Sequence, residues 1–246
     1  MQKESFLDDK KIKWSFVDII LVFVLLLILM GITRAYADNI RRIFGSLRFL
    51  GMEPKLTLFF FSAMSQAFYI LVVTGIIFWF RKATLAEIGL TTHNFLQTLF
   101  IGVGGGFVLV FLILLLGVIM VIITKTTPPP QDVATYLLAM DGKWSRLLAF
   151  FLGSVMAPLS EEIYFRGMVY PVFRDRFGRL PGMVISGLIF SLMHRDLFRF
   201  IPIAVGGIGL AYLFERTKSL WASIFAHSTW NTVMLLLMAT GSRLAP

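Results

Sequence analysis

Residues 97–124 read QTLFIGVGGGFVLVFLILLLGVIMVIIT, a run without a charged side chain. At 1.5 Å per residue a helix over this run reaches about 42 Å, longer than the ~30 Å hydrocarbon core of a bilayer. Backbone in lipid must satisfy its own hydrogen bonds, so the run predicts a membrane-spanning helix. Working outward, six further apolar segments lie at about 14–33, 57–80, 146–177, 181–195, 199–215 and 219–240. None alternates with the period of two that barrel strands require. The expected fold is all-α, a polytopic transmembrane bundle of about seven or eight helices around an intramembrane polar site.

Composition points the same way. The chain is 57% hydrophobic and 15% charged, and its mean hydropathy of +0.81 is too high for an ordinary soluble domain. It has no cysteine, which removes disulfides, thiol catalysis and thiolate metal sites at once. The formal charge of +9 is carried by Lys and Arg residues spread over short loops, without interleaved basic stripes. Anionic lipid headgroups are therefore the expected electrostatic partner, and nucleic acid is not. An integral, multi-pass protein of a prokaryotic cell membrane is the expected setting, with oligomeric state left open.

Along the chain, Lys10, Lys11 and Lys13 precede the first apolar run, and Ala35-Tyr36-Ala37 imitates a signal cleavage site. A secretory signal core is about 7–15 residues, and Trp14 to Thr33 is longer, so an uncleaved helix is expected. Residues 34–56 mix Arg41, Arg42 and Arg48 with Phe44 and Phe49, a pattern that suits either a surface helix or a solvated loop. The stretch 125–145 holds Pro128-Pro129-Pro130 and reads as a loop with a short helical piece near Tyr136 to Met140. Gly102-x-x-x-Gly106 reads as a helix-packing face. Pro158 and Pro202 are expected to kink their helices. The chain divides into N-terminal helices and surface segments over 1–140 and a helical core over 141–246, within one membrane unit. Lys and Arg fall almost equally on both sides, so only the cluster Arg174, Arg176, Arg179 points a turn to the cytosol.

The chemistry rests on ionisable residues inside the apolar segments. Glu161 and Glu162 lie in Pro158-Leu-Ser-Glu-Glu-Ile-Tyr-Phe-Arg166, and later segments carry His194, then His227 with Asn231. An ionisable residue at membrane depth costs roughly 2.5–3.5 kcal/mol on insertion scales, so several together imply a reaction centre rather than filler. Neighbouring residues on a helix point about 100° apart, so the two glutamates should differ in role. Glu162 and Arg166 are spaced i,i+4 with the acid first, which favours a pair and leaves Glu161 as the candidate base. If Phe177 to Gly182 is the turn of a helical hairpin, Glu161 and His194 stand at one height and can face each other. His227 and Asn231 share a helix face. They lie opposite Gly206, Gly207 and Gly209, small residues that leave room for a ligand or a close helix. His93, in a polar loop, reads as a surface residue.

Glu161-Glu162-x-x-x-Arg166, Phe190-x-x-x-His194 and His227-x-x-x-Asn231, in this order on separate apolar segments, resemble the CPBP family of intramembrane proteases, named for CAAX proteases and bacteriocin-processing enzymes and also called the Abi family. The resemblance covers about residues 146–240. It implies that Glu161 activates a water with help from His194, that His227 and Asn231 support the oxyanion, and that Glu162, Arg166 and Phe190 are supporting residues. The substrate it implies is a membrane-associated or hydrophobic peptide, lipidated or not.

Peptide hydrolysis needs those parts, a base for water and donors aimed at the oxygen that becomes negative. No cofactor is expected. Zinc stays open, since Glu161, His194 and His227 make an acceptable His₂Glu set, although His-Glu-x-x-His is absent. Gly-x-Ser-Gly paired with a histidine and Gly-x-Gly-Asp, the marks of serine and aspartyl intramembrane proteases, are absent too. A non-catalytic scaffold or bacteriocin-immunity protein and, more distantly, a proton-relaying transporter are the competing readings.

Overall fold

The computed structural model describes residues 12–35, 67–91, 94–127 and 143–244, with Asn39. Among these, the regular structure is entirely helical. In chain order the long helices are α1 (Phe16–Ala35), α2 (Ala67–Phe80), α3 (Phe95–Thr124), α4 (143–177), α5 (Arg179–Met193), α6 (Phe200–Thr217) and α7 (Leu220–Leu244). Each expected apolar segment thus holds a helix, with ends displaced by a few residues. The start of the second segment, the surface segment 34–56, the triple-proline stretch and His93 lie outside the described residues.

Among the described residues three helices are long and apolar enough to cross a membrane: Phe95–Thr124, Arg146–Phe177 and Phe200–Thr217. The outer face of α3 leaves Phe100, Phe111, Ile122 and Ile123 between 65% and 74% exposed. Apolar exposure on this scale marks a surface made for lipid.

Small residues set the inner packing. A Cβ on Gly102 would lie 2.7 Å from the carbonyl oxygen of Ala222, and one on Gly106 2.6 Å from that of Ala226. The Gly102-x-x-x-Gly106 face therefore seats α7 directly on the α3 backbone. Gly187 of α5 and Gly207 of α6 meet similarly, a Gly207 Cβ falling 2.9 Å from the Gly187 Cα. The glycines of α6 thus admit a close helix rather than a ligand.

Connections are short. Gly178, with φ +88, alone separates α4 from α5. This turn is sharp enough to fold the two helices back on each other as the sequence predicts. Gly89, with φ +81, has the Phe214 ring 2.6 Å from where a Cβ would sit, and its carbonyl accepts the N–H of Leu220, which starts α7. At this end of the bundle Glu215 binds Tyr170 (2.8 Å), Arg174 (2.9 Å), Arg179 (3.1 Å) and Lys218 (2.6 Å). Part of the basic cluster at 174–179 therefore serves as a clasp on α6.

The first helix belongs to the core. Trp14 donates its indole N–H to the carbonyl of Met168 at 2.8 Å, and Phe16 packs edge-on against Phe173 with ring centroids 5.0 Å apart. Arg81 holds Asp18 at 2.8 Å. The expectation of a helix retained in the fold agrees with these contacts.

One expectation about prolines fails. Pro202 is the third residue of α6, within the first turn, where a missing N–H has no intrahelical partner to lose. It starts the helix instead of kinking it. Pro158 does mark a disturbance, described below.

Candidate active site

α4 is not a plain α-helix. Wide π turns at Leu152–Met156 and Phe165–Val169 bracket the α-helical stretch Ala157–Tyr164 that carries both glutamates. Such turns recur at functional sites because they reset which side chains share a face. In the first, the Ala157 N–H reaches back five residues to the Leu152 carbonyl. The next donor in that register is residue 158, a proline with no N–H. The Gly153 carbonyl is left over, and Asn231 of α7 takes it, Nδ2 to O 2.9 Å.

Around the glutamates the structure builds a buried charged chain. Glu162 is fully buried, and its Oε1 accepts from Arg166 Nη1 at 2.6 Å and from His227 Nδ1 at 2.8 Å. Arg166 is equally buried and gives its other terminal nitrogen to the Gly207 carbonyl at 2.7 Å. The forked guanidinium thus ties α4 to α6 where Gly187 and Gly207 bring the helices close. Phe190 lies under this group, its ring centroid 4.8 Å from the Arg166 guanidinium carbon.

Glu161 has a different environment. Its side chain is 26% exposed, and its Oε2 lies 3.8 Å from His227 Nε2. That is ion-pair range but too long for a hydrogen bond. His227 therefore stands between the two carboxylates, with Nδ1 on Glu162 and Nε2 toward Glu161. Its ring stacks on Trp230 at 5.2 Å and meets the edge of Phe190 at 5.6 Å.

His194 caps the end of α5 and is exposed. Its Nδ1 donates to the Phe190 carbonyl at 2.8 Å, which fixes the tautomer and leaves Nε2 free. Its ring packs on Phe190 with centroids 4.6 Å apart. Among the described residues, no hydrogen bond or ion pair joins Glu161 to His194. The imidazole in ion-pair range of Glu161 is that of His227, because α5 ends at Met193 and His194 already belongs to the turn. Residues 194–199 are irregular, with Arg195 at φ +55, and Asp196 binds both the backbone N–H and the guanidinium of Arg199. Burial pushes the Asp196 carboxyl up, but the two Arg199 contacts outweigh it and hold it below the ordinary carboxylate range.

The arrangement constrains protons. Glu162 Oε1 accepts from Arg166 Nη1, and His227 Nδ1 donates to the same oxygen. A neutral His227 then presents a bare lone pair at Nε2. It donates from Nε2 only as imidazolium. With Glu162 matched by Arg166, the remaining pair is Glu161 with His227, neutral when together they hold one ionising proton beyond Nδ1–H. Asn231 has one amide hydrogen on Gly153 and a second without a partner among the described residues.

Among the described residues no three His, Asp or Glu side chains group as metal ligands, and of the residues considered for zinc His227 has Nε2 to offer, its Nδ1 being held by Glu162. Two participants were not visible in the sequence: the Gly153 carbonyl and Trp230. The first depends on a helical register, and the second lies between His227 and Asn231 as one more aromatic residue in an apolar run.

Residues 143–233 match the family model described as type II CAAX prenyl endopeptidase Rce1-like. A protein of Bacillus subtilis (strain 168) described as "Putative membrane peptidase YdiL" is 31% identical over 90 residues, 37% of this chain and 37% of that protein. The chain thus aligns with little more than a third of that relative's length. No solved structure matches.

Proposed function

We infer, from the match of residues 143–233 to the type II CAAX prenyl endopeptidase Rce1-like family model, that this chain is an intramembrane endopeptidase of the CPBP kind with a glutamate-activated water. The observation that carries the reading is the unequal environment of the adjacent glutamates. Glu162 is committed to Arg166 and His227, while Glu161 is part-exposed with an Oε2 that is buried and has no donor. Glu161 takes a proton from water, the hydroxide adds to the scissile carbonyl carbon, and the C=O electron pair moves onto oxygen. His227 as imidazolium and the second amide hydrogen of Asn231 donate to that oxyanion. The C–N bond then breaks, and the proton on Glu161, passed directly or through His194 Nε2, goes to the leaving amine. No step runs through a metal.

The substrate class is a membrane-associated or hydrophobic peptide, lipidated or not, and the protein is a multi-pass resident of a prokaryotic cell membrane. Three membrane-capable helices and the bacterial relative support this setting. The test is a proteome-wide comparison of peptide termini in membranes holding the parent protein or Glu161→Gln. New termini should appear with the parent alone. Identical profiles, with an unchanged cellular phenotype in the variant at normal abundance, would hand the case to the scaffold reading.

A further inference from the structure

Donors are scarce at the glutamates. Among the described residues Glu161 Oε2 and Glu162 Oε2 are both buried without a hydrogen-bond partner, a condition that native interiors seldom leave uncorrected. Tyr69, on α2 and outside the family-matched residues, packs on the helical stretch that carries them. Its ring meets the edge of Tyr164 with centroids 5.9 Å apart and an interplanar angle of 77°. Tyr164 follows Glu161 by three residues on an α-helical stretch, so both project from one face. The charges of Glu161 and Glu162 both bear on the Tyr69 phenol. Among the described residues the Tyr69 hydroxyl has no hydrogen-bond partner, although its ring packs on the core.

We propose that Tyr69 is a positioning residue for the base, its hydroxyl donating to Glu161 Oε2 through one water. The contact fixes the carboxylate plane, so that Oε1 is the oxygen offered to the nucleophilic water. The groups around that carboxylate are then His227 from α7, Tyr69 from α2, and Glu162, Arg166 and Tyr164 from α4. The N-terminal half of the chain, for which the family match gives no role, thereby completes the site. This rests on the peptidase reading.

The test has two arms. In the first, a quenched-fluorescent peptide built on the strongest cleavage found in parent membranes is turned over by the parent, Tyr69→Phe and Tyr164→Phe. Tyr69→Phe keeps the ring against Tyr164, so it should fold, with a melting temperature lower by no more than about 10 °C. A hydrogen bond to a charged group supports a loss in kcat of about tenfold or more with KM unchanged. Tyr164→Phe, whose hydroxyl makes only a 3.4 Å contact to the Ile19 carbonyl, should stay near the parent. A loss below about fivefold for Tyr69→Phe, or one confined to KM, overturns the proposal. In the second arm, 3-fluorotyrosine at position 69 is followed by ¹⁹F NMR. Its resonance should move with Glu161→Gln and not with Glu87→Gln. A resonance indifferent to Glu161 overturns the contact whatever the enzyme does. A parent that cleaves nothing while the resonance still responds overturns the peptidase reading and leaves the contact standing.

Discussion

Arg166→Met isolates the charge chain that holds the site. The side chain is fully buried, and its two bonds, 2.6 Å to Glu162 and 2.7 Å to the Gly207 carbonyl, join α4 to α6. Methionine fills much of the volume but strands an ionised carboxylate that keeps only His227. Breaking a buried pair by removing one partner costs about 3–5 kcal/mol. At roughly 2–4 °C per kcal/mol for a chain of this size, melting should fall by about 6–20 °C. Replacing both partners, as in Glu162→Gln with Arg166→Met, removes the orphaned charge and should recover at least half of the loss. Arg166→Lys should recover less, because one ammonium cannot reproduce a fork that reaches a carboxylate and a carbonyl together. The assay is thermal unfolding of the four proteins in one detergent. If Arg166→Met melts within ~1 kcal/mol of the parent, or the double variant melts no higher than Arg166→Met, the pair is not the lock described.

Other outcomes follow from single contacts. Asn231→Ala should remain folded and lose turnover by about 10²–10³-fold, as for loss of one oxyanion donor, and parent-like turnover would remove Asn231 from the chemistry. Gly106→Ala should cost about 1–3 kcal/mol, since its Cβ would lie 2.6 Å from the Ala226 carbonyl. Gly104→Ala, with nothing within 4 Å, should be tolerated, and equal melting curves for the two would refute the packing face. Exhaustive chelation should leave peptide cleavage intact with no stoichiometric zinc in the purified protein, whereas loss of activity restored by zinc would reinstate the metal mechanism.

The helices were legible because apolar runs such as 97–124 leave little alternative in lipid. The Glu162–Arg166 pair was legible because i,i+4 spacing fixes a neighbour within one helix. What escaped was everything that depends on where a helix loses its regular register. Straight-helix geometry pairs Glu161 with His194, yet α5 stops one residue short of that histidine, and α7 brings His227 to the carboxylates instead. Pro202 shows the converse error, for a proline inside an apolar segment kinks nothing when it sits in the first turn.

The π turn before Pro158 links these departures. A proline in an α register would merely delete one bond, to Ser154. The wide turn shifts the deficit to Gly153, and its carbonyl becomes the anchor for Asn231. Asn231 is thereby held from one side with one amide hydrogen spent and the other available. His227, one turn earlier on α7, is held in the same manner, Nδ1 spent on Glu162 and Nε2 available. Both proposed oxyanion donors are therefore fixed by acceptors on α4, the helix that carries the base. Base and donors keep their relative positions if α4 and α7 move as one body. The irregular turn that carries His194 lies outside that unit, where a side chain that meets the leaving group can move without disturbing the water.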